Sequence, residues 1–208
     1  SMGPHLHFEI RDTKSEKVLN QLFFGFPLPD KIAPEVTKLA LYDRNQSTYE
    51  QSPNIYALTK SNGRYKIGGS PIKITTDNIS FGITATDRIN GSANPNGIYG
   101  AVVYMDNKAI SGFEIDSISY DDTRYLNAHI DYKTKMNGGA FIQHLAPLPG
   151  YTNGIYECAP HETGILHIND SLTHHIRIEV YDVQRNTSVI EFDVKKIKTE
   201  KKSVPTEK

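Results

Sequence analysis

The sequence predicts a mainly β protein, an antiparallel Ig-like β-sandwich interrupted by one loop-rich insertion. Three observations carry this. Apolar and polar residues alternate with a period of two in short runs such as Ile79, Phe81, Ile83 and Ile176, Ile178, Val180, which turns one side of each run toward a core. Clusters of Asn, Asp, Gly and Pro separate the runs. The aromatic residues are 12 Tyr and 8 Phe with no Trp, types that favour strands. At 208 residues, with 38% hydrophobic and 23% charged content, the chain is long enough to bury a sizeable core without staples.

Residues 5–11 (HLHFEIR) alternate without a break. On a strand, His5, His7, Glu9 and Arg11 share one face, and Leu6, Phe8 and Ile10 the other. Asp12 to Lys17 is a polar turn. The apolar run Val18 to Phe26 stops at Pro27-Leu28-Pro29, where regular pairing ends. Ser1-Met2-Gly3-Pro4 carries no charged or apolar leader region. Residues 1–29 are too few to bury a core and are expected to end a domain whose remainder lies upstream. Residues 30–196 are expected to form the sandwich, and 197–208 a polar Lys-rich tail.

From Ile32 onward, short strands are expected at Lys38–Tyr42 and Ile55–Thr59, and at Arg64–Lys66 after an Asn62-Gly63 turn. Ile79 to Ala85 alternates and ends at Asp87. Ile98 to Met105 leads through an Asp106-Asn107 turn into Ala109 to Ile115. The pattern returns at Ile176 to Val180, ends at Asp182, and resumes at Val189 to Val194. Ile79, Phe81, Ile83, Ile176, Ile178 and Val180 are expected to face inward. Asp87 and Asp182 both suit Asx turns. A calcium role would need more oxygen donors than these two.

The insertion spans about 113–170. Tyr120 to Lys133 is its best helix candidate, with Tyr125, Ala128 and Tyr132 on one face. Pro147, Pro149, Gly150, Gly154 and Pro160 make the rest loop-rich. Tyr120, Tyr125, Tyr132 and Tyr151 are expected to fill the core, with sugar stacking as their functional alternative.

Charge excludes some functions. The last 14 residues hold six Lys and two Glu, while the rest of the chain carries 17 basic and 22 acidic groups. An acidic body lacks the clustered Lys and Arg of a nucleic-acid footprint, and the tail reads as a solvated linker. No run approaches the ~18 apolar residues of a membrane span. Cys158 is the only cysteine, so no internal disulfide forms. Cys158-x-x-His161 has no second pair of the usual spacing. His174 and His175 must face opposite sides of a strand. His129, His144 and His167 are scattered, and no Gly-x-Ser-x-Gly elbow is present.

His-x-His on a strand sets two imidazoles about 7 Å apart on one face, close enough to serve one metal centre. Alone the signal is weak, since a surface strand with polar neighbours has the same pattern. In its context, Gly3-Pro4-His5-Leu6-His7-Phe8-Glu9-Ile10-Arg11 resembles the closing motif of the lysostaphin/LytM-type zinc metallopeptidases, metallopeptidase family 23. The resemblance covers residues 1 to about 28, with Asn20-Gln21-Leu22 where the family usually has Asn/Asp-Pro-Leu. It implies that residues 1–29 are the last strand of a β-rich peptidase domain, with His7 a zinc ligand and His5 the catalytic histidine. Glu9 and Arg11 would hold the cleft wall. It also implies a periplasmic or cell-surface protein acting on the peptide cross-links of bacterial peptidoglycan. The family's remaining zinc ligands come from an upstream His-x-x-x-Asp segment, and no such segment occurs here. Catalytic zinc takes three protein ligands plus water. The intact parent is therefore expected to bind Zn2+ and work as an endopeptidase, and this chain alone to be inactive. The alternative is a non-catalytic binding or spacer module on a surface or periplasmic protein.

Overall fold

The computed structural model describes residues 6–26, 29–123, 125–151, 154–156 and 163–198. In chain order the strands are β1 (Ile10–Arg11), β2 (Val18–Leu19), β3 (Glu35–Asp43), β4 (Asn54–Ser61), β5 (Arg64–Ile67), β6 (Ile72–Ile74), β7 (Asn78–Thr86), β8 (Gly100–Met105), β9 (Lys108–Glu114) and β10 (Ser117–Ile118). Two short helices follow, α1 (Tyr120–Thr123) and α2 (Tyr132–Met136), then β11 (Gln143–His144), β12 (Leu166–His167), β13 (Thr173–Tyr181) and β14 (Thr187–Lys196). The chain is mainly β.

Eleven strands form one sheet with the path β11-β7-β3-β4-β5-β14-β13-β8-β9; β12 also pairs with β7, and β6 with β14. The sheet curls back on itself. Phe81 of β7 meets Phe192 of β14 edge to face, with centroids 5.4 Å apart, although three strands separate β7 from β14 along the path. Between these facing halves lies one core that includes all six residues expected to point inward, Ile79, Phe81, Ile83, Ile176, Ile178 and Val180, each buried. Their period-two spacing is what lets every second side chain of β7 and β13 reach it.

Turn chemistry sets the hairpins. Asn62 and Gly63 both have positive φ (51° and 77°), as do Asp106 and Asn107 (50° and 67°), which matches the strand twist in two-residue hairpins. Gly82 has a different purpose. A Cβ there would lie 2.7 Å from Ile142 Cγ2, so the bare backbone lets β11 pack directly against β7.

Pairing in this sheet is mostly antiparallel, as expected, β14 running antiparallel to β13 but parallel to β5 and β6; alternation has the same period in either direction. One expectation is corrected. The helix expected over 120–133 is broken into α1, a 3-10 turn at Leu126–Ala128, and α2. Asp131 restarts it as N-cap, its Oδ1 accepting from Thr134 N at 2.8 Å, because a short polar side chain satisfies an otherwise orphaned helix N–H. The insertion is also not only loop, since it contributes β11 and β12 to the edge of β7.

The strand expected over residues 5–11 is paired only at Ile10–Arg11. With Val18–Leu19 and Ser117–Ile118 it makes a separate three-stranded sheet, β1-β2-β10. Leu6 is 90% exposed and Phe8, Phe23, Phe24 and Phe26 are also exposed, so the apolar face expected here meets no core among the described residues. Residues 199–208 of the expected tail lie outside the described residues.

Candidate functional site

Of the two histidines singled out by their spacing, His5 lies outside the described residues, and His7 is exposed on the extended stretch before β1. Beyond it, Arg11 forms an ion pair with Glu9 (2.6 Å), Arg11 Nη2 donates to Tyr120 Oη (2.8 Å), and Tyr120 Oη donates to Glu9 Oε2 (3.0 Å). Bonds from Arg11 and Tyr120 hold the Glu9 carboxyl below its usual range. Glu9 and Arg11 thus share a side, as expected, and are tied to the insertion. His7 belongs to no metal-holding group among the described residues, and these residues by themselves do not fit zinc. The other ligand-like pair, Cys158 and His161, lies outside the described residues.

A second region is a cleft of about 300 Å³ in the insertion, lined by Tyr49, Tyr125, Tyr132 and Tyr151 over Asp131 and His144. Core filling is not what these tyrosines do: Tyr49, Tyr120, Tyr125, Tyr132 and Tyr151 are 40–53% exposed. Tyr151 is 6.3 Å from Tyr49 and 5.6 Å from Tyr125, ring centre to ring centre. The floor is tied together by buried Tyr42, whose Oη donates to Asp131 Oδ2 at 2.9 Å and whose ring lies tilted against His144 with centroids 4.8 Å apart.

Two histidines that look scattered in sequence are brought together at this floor. His129 and His144 are both buried. Tyr156 Oη donates to His144 O (3.1 Å) and contacts His129 Nδ1 at 2.9 Å, so His129 Nδ1–H is the donor in that contact. Burial pushes His129 down to about 3 and His144 to about 4, because a charged imidazole there would lose its hydration.

The third region is acidic. Asp30, Asp87 and Asp182 are buried, and one carboxylate oxygen of each lies within 4.8 Å of the others. They line a cavity of about 290 Å³ together with Asn20, Asn96 and Tyr99. Asp87 closes β7 through a bridge to Asn96, and Asp182 follows β13 and ties the turn into β14, its Oδ1 accepting from Asn186 N at 2.8 Å. Asp30 Oδ1 accepts from Ile32 N at 3.0 Å. Asp30 Oδ2 and Asp87 Oδ1 are buried and have no hydrogen-bond partner among the described residues. Burial, and then the charges of Asp182 and Asp30, push Asp87 up to about 6. The sequence singled out Asp87 and Asp182 but missed Asp30, which sits in an irregular segment with no periodic pattern around it.

No family model, no curated protein and no solved structure matches this chain. Among the described residues no helix is long and apolar enough to cross a membrane.

Proposed function

We propose that this chain is the C-terminal part of a bacterial cell-wall zinc endopeptidase, acting on peptidoglycan in the periplasm or at the cell surface, with residues 30–196 as its accessory β module. The observation that carries the reading is the nine-residue run Gly3 to Arg11. In this reading His7 supplies one zinc ligand and His5 acts on the reacting water, the other ligands coming from outside these 208 residues. The exposed apolar side chains Leu6, Phe8, Phe23, Phe24 and Phe26 support it, since apolar area of this extent normally lies against another protein surface. The test is made in the intact protein. His7→Ala is expected to lose both zinc and wall digestion. His5→Ala is expected to keep the metal and lose at least ~100-fold in rate, the usual contribution of a positioned acid or base. A His7→Ala protein with normal zinc content and activity would reject the assignment.

A second reading, favoured by the tyrosine-lined cleft, is a binding module for cell-wall glycan. Flat, half-exposed rings over a polar floor suit the alternating apolar and hydroxyl faces of a sugar. The chain should then co-sediment with insoluble peptidoglycan, and Tyr151→Ala should release it. Equal retention of the variant would remove this reading without touching the first.

A further inference from the structure

We propose that Asp30, Asp87 and Asp182 form a calcium site that clamps the irregular segment around residue 30 to the ends of β7 and β13. This goes beyond the peptidase and glycan readings and depends on neither.

Three carboxylates buried side by side cannot all keep their charge without a counter-ion, because the like charges repel and each has given up hydration. None of the described residues lining this cavity is Lys or Arg. Hydrogen bonding accounts for only part of the cluster. Both oxygens of Asp182 are taken by Asn186 (2.8 and 2.7 Å), and Asp30 Oδ1 by Ile32 N. Among the described residues, Asp30 Oδ2 and Asp87 Oδ1 are left buried with nothing to accept from. Two such buried anionic oxygens in one cluster suit a bound cation better than a closed polar network.

Geometry and donor type select the ion. Two oxygens bound to one Ca2+ at about 2.4 Å can be at most about 4.8 Å apart, and the three carboxylates meet that limit. The donors are all hard oxygens with no histidine or cysteine, which disfavours zinc. Calcium accepts irregular coordination completed by water, which the cavity of about 290 Å³ has room to supply, whereas magnesium demands a near-ideal octahedron.

The placement gives the site a purpose. Asp87 and Asp182 stand where β7 and β13 end, while Asp30 belongs to the segment arriving from the small β1-β2-β10 sheet. Among the described residues that segment is otherwise held by polar bonds such as Asn186 Nδ2 to Asp30 O (3.2 Å), Lys31 N to Asn90 Oδ1 (3.1 Å) and Ser188 Oγ to Pro34 O. A bound cation would fix the approach of the N-terminal segment to the β body.

The experiment uses the 208-residue chain, stripped with EDTA and titrated with CaCl2 by calorimetry and thermal unfolding. Calcium at about 100 times its dissociation constant should raise the Tm by about 5–10 °C, with one ion bound per chain. Asp87→Asn should abolish both the binding heat and the calcium-dependent rise, while its Tm in EDTA stays at or above that of the unaltered chain, since one buried charge is gone. Asp30→Asn should give the same loss and serves as the second variant if the first folds poorly. Absence of calcium binding by the unaltered chain would overturn the proposal. So would an undiminished calcium response in both variants, or an equal response to the same concentration of Mg2+.

Discussion

Lowering the pH from 7 to 4 is expected to lower the Tm of the chain by about 10 °C or more, driven by His129 and His144. Both have folded-state pKa values depressed to about 3 and about 4, against roughly 6.5 in an unfolded chain. Below 6.5 the unfolded state therefore binds protons that the folded state refuses. Stability falls as the pH drops from 6.5 toward 4, by up to about 1.4 kcal/mol per pH unit for each histidine. A chain of this size loses roughly 2–4 °C per kcal/mol. His129 faces Phe113, Tyr156 and His144; His144 faces Tyr42, Asp131 and Arg44. Of these, only Asp131 favours the protonated form of His144. The acidic cluster around Asp87 works in the opposite sense, because acid neutralises it, so variants must be compared at each pH. His144→Gln should shrink the loss by roughly half. A Tm that stays level from pH 7 to 4.5, or a variant with the same slope, would contradict this account.

Phe113→Ala is expected to destabilise the chain by about 3–5 kcal/mol, the usual cost of emptying a fully buried aromatic site, with a fall in Tm of about 10 °C. Phe113 lies on β9 and is fully buried, with its ring 4.5 Å from His129 and 6.1 Å from Tyr156, both in the insertion. It is the point at which the curled sheet and the insertion share a core. Urea denaturation should show one cooperative transition shifted to lower midpoint. A loss under 1 kcal/mol would mean that the insertion rests on the sheet without being part of its core.

Much of this fold is legible in the chain itself. Alternation marked the inward faces of β7 and β13, because a strand's side chains must alternate wherever one face is buried. The hairpins at Asn62-Gly63 and Asp106-Asn107 were readable because so few residues tolerate positive φ. Opposite faces for His174 and His175 followed from the same geometry: His174 Nδ1 bonds Asp106 at 2.7 Å, and His175 Nδ1 bonds Asp193 at 3.0 Å.

Tertiary structure alone decided the rest. A period of two is blind to strand direction, so β14 running parallel to β5 and β6 left no mark in the sequence. Local propensity did not reveal that Asp131 would cap a second helix start and break the helix over 120–133. His129 and His144, separated in sequence, became a buried pair only when β11 docked beside β7. Asp30, Asp87 and Asp182 became neighbours only because two strand ends and an irregular segment converge. Sequence fixes what each residue prefers locally; the meeting of distant carboxylates depends on chain closure over more than 150 residues, which local patterns do not encode.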